Sequence, residues 1–217
     1  MRVRTGRERD DGEVRISWVP TLRTVVRSGL AAFVGLVALE HLLRPDLPPA
    51  ERFISEYGRG WTQPVHAAAF AGWAVAGGGC AALAVGGPRP GAARALAAGS
   101  FAVAAAGAAL AAAFATQTVG GELPADLART LAGRLHDAGT LLILGGLLVA
   151  APASLLLIRT RRYRLTLTGL AVALLAVVPV LIALGIEAPG VGQRAFVLIG
   201  GAFQWAFATQ LPVAGAP

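Results

Sequence analysis

The sequence predicts an all-α fold, an integral membrane bundle of six transmembrane helices, and three observations carry that expectation. Six apolar stretches, 24–43, 64–86, 92–115, 138–158, 165–186 and 193–211, each approach the roughly 20 residues that a spanning helix needs. Hydrophobic residues make up 55% of the chain and charged ones 14%, so the spans and their links use up nearly all of the 217 residues. The basic residues also collect on alternate links, as they do in multi-pass proteins.

Residues 1–20 are expected to form a disordered, basic cytoplasmic tail, with 21–217 as the six-helix transmembrane domain. The tail mixes arginines with Glu8, Asp10, Asp11 and Glu13 and holds little apolar surface. Trp18 and Pro20 mark where the chain meets the membrane. The tail is long and acid-containing for a signal peptide, and no small-x-small cleavage site follows the first span, which is expected to persist as a signal anchor.

The first long link carries an amphipathic segment, 50–57, with Phe53, Ile54 and Tyr57 on one face and Trp61 placed for the headgroups. In the second span, Gly77, Gly78, Gly79 and the one cysteine, Cys80, read as packing residues. The links 87–91 and 159–164 are short, so the helices they join are antiparallel neighbours. The third span is built of small residues, with Gly99, Val103, Gly107 and Ala111 as a stripe for close helix approach, which puts it near the bundle centre. In the second long link, segment 125–135, Leu123, Leu127, Leu131 and Leu135 recur every fourth residue behind Pro124, predicting a helix that lies flat on the membrane. The alternative is that both long links merely cap the bundle. Pro152 and Pro179 are expected to kink spans four and five or to mark backbone adjustments.

All 19 basic residues are arginines. Thirteen fall in residues 1–27 and in or beside the two short links, and six in the long links and last hairpin. By the positive-inside rule the chain sits in the cell membrane with both termini cytoplasmic. That distribution gives the +7 net charge a topological meaning and argues against nucleic acid as a partner; membrane lipids are the expected one. The absence of lysine is read as compositional bias.

On this topology every histidine, and every acid outside the tail, lies at the outer end. Glu40 and His41 end the first span; Ser55, Glu56 and Tyr57 lie in the first link; His66 opens the second span; His136 and Asp137 open the fourth; Glu187 and Arg194 flank the last hairpin. Ionisable groups inside a membrane are costly and are therefore functional candidates. Each also has a plainer reading. Glu40 can pair with Arg44 one turn on, Asp137 can cap a helix start, His41 can snorkel to the headgroups and His66 can bridge to a backbone carbonyl. No His-x-x-x-His or Cys-x-x-Cys spacing supports a metal site, and no nucleotide loop or nucleophile elbow implies a cofactor.

His41, Pro45, the run Ile54-Ser55-Glu56-Tyr57-Gly58, Phe114-x-Thr116 and the pair His136-Asp137 together resemble the pattern of a family. It is that of bacterial multi-pass proteins catalogued as domain of unknown function 998, and the similarity covers most of the chain. The resemblance implies a six-helix membrane protein and carries no assigned activity. In that family Phe-x-Thr is typically followed by Asp; here the position is Gln117, and Asp137 or Glu122 would have to substitute for a required acid.

Two functions follow from different classes. One is binding of a lipid or small apolar molecule, with Glu40, Ser55, Tyr57, His66 and Arg194 as binding residues. The other is an enzyme using acid–base chemistry on a lipid or prenyl-like substrate. His136 would then be the base, Asp137 would orient it or act as the acid, Glu56 would be a second proton donor, and His41 would belong to the same set. A transporter ranks below both, because the polar residues stop at the outer face whereas carriers bind near the midplane.

Overall fold

The computed structural model describes residues 13–87, 91–120, 122–158, 160–183 and 188–211. Among the described residues there are six long α-helices and one short one: α1 (Glu13–Leu43), the one-turn α2 (Ile54–Tyr57), α3 (Gln63–Val85), α4 (Ala92–Ala113), α5 (Leu131–Leu155), α6 (Arg161–Ala183) and α7 (Pro189–Gln210). Among the described residues there is no strand, only one isolated bridge between Val119 and Glu122.

Among the described residues four segments are long and apolar enough to cross a membrane: Trp18–Leu43, Gly60–Val85, Ala92–Ala113 and Leu131–Leu155. The first turn of α6 carries Arg161, Arg162 and Arg164, and α7 carries Gln193, Arg194 and Gln204, which dilute their apolar content. Large apolar side chains nevertheless face outward all around the bundle, among them Leu42, Leu96, Leu141, Leu165 and Leu198, at 51 to 78% exposure. A surface of that kind is covered by lipid rather than by water.

The helices pack in chain order, α1 on α3, α3 on α4, α4 on α5, α5 on α6 and α6 on α7, and α7 returns to α1. The first and last of these helices therefore meet: Arg23 Nη2 of α1 donates to the carbonyl of Leu211, just past the end of α7, at 2.9 Å. Two seams are backbone-close. A Cβ on Gly29 would lie 2.5 Å from the Gly72 carbonyl oxygen across α1/α3, and one on Gly107 would lie 2.5 Å from that of Gly139 across α4/α5. Gly107 and Ala111 thus do the packing expected of the α4 stripe. Gly99 meets nothing and Val103 is 42% exposed, because a four-residue spacing drifts around the helix. Also unlike expectation, α3, which touches α1, α4 and α7, is the more central helix.

Aromatic side chains fill the middle. Phe33, Phe70 and Trp73 form one group with ring centroids 4.7 to 5.9 Å apart, and Phe101 of α4 meets Phe203 and Phe207 of α7. Trp73 Nε1 donates to the buried Gln204 side-chain oxygen at 3.2 Å, which serves both polar groups in an apolar core. Cys80 is fully buried, as its packing role requires. Gly77 and Gly79 back onto Ala105 and Val26, whereas Gly78 faces open space. Pro152 and Pro179 lie inside uninterrupted helices.

Three local expectations are corrected. Helix α1 starts at Glu13, so the end of the expected tail is helical; residues 1–12 lie outside the described residues, as does Glu187. Segment 125–135 is not a separate flat helix. Thr130 caps α5, its hydroxyl accepting from Gly133 N at 3.2 Å, so Leu131 and Leu135 belong to the first turns of a long upright helix. Segment 50–57 is not one-sided as expected: Ile54, Ser55, Glu56 and Tyr57 are all buried, plugged into the end of the bundle.

Candidate functional site

The end of the bundle that holds α2 collects the ionisable residues into two groups. The first lies on the α1/α7 side. His41 Nδ1 donates to the Val37 carbonyl at 2.7 Å, so Nε2 is left to accept from Arg194 Nη2, also at 2.7 Å. The His41 ring stacks on Tyr57 with centroids 4.3 Å apart, and the Arg194 guanidinium lies 5.4 Å from the Tyr57 ring centroid. Arg194 also donates to the carbonyls of Arg52 and Gly190, and Tyr57 Oη to that of Leu47 at 2.6 Å. Burial pushes the Tyr57 phenol up from its ordinary value, against the pull of Arg194.

Glu56 is buried, pairs with Arg52 at 3.5 Å and accepts the Phe53 N–H, closing the short α2 turn. Gln193 accepts from Ile54 N, and Gly190 N donates to the Ala50 carbonyl, so α7 begins pressed against the first link. A Cβ on Gly190 would come within 2.2 Å of the Pro49 carbonyl oxygen, which only glycine permits. Arg44 does not pair with Glu40. It takes Asp46 in a bidentate pair at 2.9 Å, which raises its own pKa and holds the Asp46 carboxyl below the usual carboxylate range.

The second group lies against α3 and α5. Glu40, wholly buried, meets His66 Nδ1 at 3.1 Å. His66 packs between Phe70, 4.4 Å away by centroid, and Gly58, where a Cβ would lie 2.3 Å from the imidazole Cγ. The glycine that ends the Ile54–Gly58 run is therefore a space requirement of His66. His136 lies 6.5 Å from His66 by ring centroid, and its Nδ1 donates to the Phe114 carbonyl at 2.8 Å. In the neutral ring that leaves the lone pair on Nε2. Phe114, rather than Asp137, therefore orients His136, and Asp137 pairs with Arg129 at 3.1 Å.

Between α5 and α7 opens a cavity of about 530 Å³. The end of it nearest α2 is polar, with Ser55, Thr116, Arg129, His136, Asp137 and Gln193 on its walls. Deeper in, Phe70 and Trp73 of α3, Ile143 and Leu144 of α5 and Phe196 of α7 make it apolar. The sequence-derived residues thus divide: Ser55, His136 and Asp137 line the cavity, Glu40 and His66 form a pair behind it, and His41, Glu56, Tyr57 and Arg194 build the α1/α7 closure. The proposed acid–base set does not converge on one point. Arg129, Thr140 and Gln193 border the cavity without having stood out, and Thr116 had stood out only as part of the Phe114-x-Thr116 run; Thr140 could have been found, being one turn after His136 on the same helix.

Gln117, at the position where the resembled family carries Asp, accepts the Thr130 N–H at 2.8 Å, and Gly133 leaves room for its side chain. It fixes the start of α5. Glu122 lies exposed beyond it, and Asp137 is the acid that reaches the cavity. Among the described residues no group of three or more His, Cys, Asp or Glu is placed to hold a metal ion.

A family model described as protein of unknown function (DUF998) matches residues 28–210. No curated protein and no solved structure matches the chain.

Proposed function

The chain belongs to the family of proteins of unknown function DUF998, and from that premise we propose that it is a six-span membrane protein that binds one amphiphile, a lipid or small apolar molecule, in the α5/α7 cavity. The cavity's change from polar to apolar along the helices supports this reading. Its size is that of a ligand pocket, and few polar groups at one end of an apolar slot suit a molecule with one polar head. The Arg129–Asp137 pair sits there at 48 and 33% side-chain exposure, and an ion pair that open contributes little by itself. An anionic or hydroxylated head can therefore replace one partner at small cost. The arginine distribution supports both termini being cytoplasmic, which turns the cavity's polar end outward.

The second reading, an acid–base enzyme on an apolar substrate, is favoured by one observation, the fixed tautomer of His136 at the cavity wall. Mass spectrometry of the protein purified in mild detergent tests the first reading. An amphiphile retained by the wild type and lost in His136→Ala/Asp137→Ala supports it; equal spectra from two folded proteins overturn it. A chemically altered amphiphile found only with the wild type would favour the enzyme.

A further inference from the structure

Midway along the bundle, α1 and α7 enclose a second groove of about 310 Å³, which meets the first cavity's lining at Val197 and runs from there away from α2. Leu30, Ala31 and Val34 line it on one side, Leu198, Gly201 and Trp205 on the other, and no charged or hydroxyl side chain borders it. Val34, Leu198 and Trp205 are 44 to 62% exposed, so the groove faces the surroundings of the bundle.

Two arginines stand below it on the same stripe of α1. Arg27 precedes Leu30 and Ala31 by one turn, and Arg23 precedes Arg27 by another. The Arg27 guanidinium lies 5.6 Å from the Trp205 ring centroid, and its Nη2 donates to Thr209 Oγ1 at 3.2 Å. Arg23 spends one Nη2 donor on the Leu211 carbonyl. The Nε of each is buried with no hydrogen-bond partner. Among the described residues neither guanidinium pairs with a carboxylate.

We propose that this groove binds one anionic phospholipid, its phosphate on Arg23 and Arg27 and an acyl chain along Leu30, Val34, Leu198 and Gly201. A phosphate supplies both the missing charge and the acceptors that two half-buried guanidinium groups lack. The 21 residues from Arg23 to Leu43, where α1 ends, extend about 30 Å along the helix, the thickness of a hydrocarbon core, so Arg23 and Arg27 fall at headgroup depth when Arg44 and Asp46 lie at the far surface. Basic pockets between spanning helices take anionic headgroups for this reason. A helix of a second copy would fill the groove without serving the guanidinium groups, and free phosphate would serve them without filling the groove.

Native mass spectrometry from micelles holding equal phosphatidylglycerol and phosphatidylcholine reads the site. Wild type is expected to retain phosphatidylglycerol preferentially, by roughly fivefold per arginine engaged. Arg27→Gln should lose that preference in part and Arg23→Gln/Arg27→Gln in full, while Arg27→Lys keeps most of it. Gly201→Leu, which fills the groove and spares the charges, should reduce retention of the phospholipid. His136→Ala/Asp137→Ala should leave the preference intact, which separates this site from the α5/α7 cavity. Equal retention of the two lipids by wild type, or a preference that survives the folded double arginine variant, would overturn the proposal. So would dimers that vanish with Gly201→Leu while lipid retention is unchanged.

Discussion

Glu40 and His66, 26 residues apart, meet at 3.1 Å where neither is more than 3% exposed, and they tie the end of α1 to the start of α3. A buried pair of this kind costs more to halve than it contributes whole. Glu40→Ala or His66→Ala is expected to destabilise the protein by about 3 to 5 kcal/mol. The double variant should lose less than the sum of the two, by at least about 1 kcal/mol. Denaturant unfolding in detergent measures all three; strict additivity would show that the two groups do not act as a pair.

Gly58 tests the same site by steric means. Because a Cβ there would lie 2.3 Å from the His66 Cγ, Gly58→Ala must displace the imidazole or the link. The expected loss is about 2 to 3 kcal/mol, of the size that overpacking reaches in cores. It should largely disappear in a His66→Ala background, where the space is free. Thermal unfolding of the four combinations decides it.

Tyr57 sets the alkaline limit. Its phenol is raised in the folded state, chiefly by burial, so the folded protein holds this proton more tightly than the unfolded chain does. The stability it contributes is complete below the ordinary tyrosine value of about 10 and is lost as pH rises through the folded value. Tyr57→Phe should flatten that alkaline slope while costing about 1 kcal/mol at neutral pH for the Leu47 hydrogen bond. Asp46 has the opposite sign: its lowered carboxyl contributes above the usual carboxylate value, and that contribution fades as pH falls. Melting temperature against pH, for wild type and Tyr57→Phe, gives both arms.

Sidedness is open to direct labelling. Asp126 lies exposed between α4 and α5, while the native Cys80 is fully buried and out of reach of a polar reagent. Asp126→Cys should therefore react with an impermeant maleimide in intact cells, against a silent wild-type background. Labelling confined to lysed cells would reverse the assigned orientation.

Filling the cavity should block it. Leu144 lies on its apolar wall, and Leu144→Trp is expected to remove a retained amphiphile as thoroughly as His136→Ala/Asp137→Ala does, although it touches no polar group. Retention unchanged by Leu144→Trp would place the ligand elsewhere. Mass spectrometry with matched size-exclusion profiles reads the result.

The long helices could be read from the sequence because each apolar run is a local property. Helix α4 is a case: 92–115 expected and Ala92–Ala113 observed. Pairings were harder. Arg44, one turn after Glu40, looked like its partner, yet it takes Asp46, and the true partner arrives on another helix that no spacing rule reaches. The leucine ladder 123, 127, 131 and 135 misled for a related reason: its period is helical, but a cap at Thr130 divides it between a loop and α5. The gathering of polar residues at one end was legible as composition. Their division into a closure around Tyr57 and a cavity beside His136 depends on where Ile54 to Tyr57 fold inward, which four residues of sequence do not announce.

The glycine contacts of α1 with α3 and of α4 with α5 have a mechanical consequence. Backbones held carbonyl against glycine leave no slack for sliding, so these four helices behave as one stiff wall. Helix α7 touches α5 only sparingly and is anchored at its N-terminal end by Gly190 and Arg194 to the first link. Any widening that admits a molecule to the cavity therefore has to come from α7 leaning away from α5, with the bonds at Arg52 and Ala50 as its pivot.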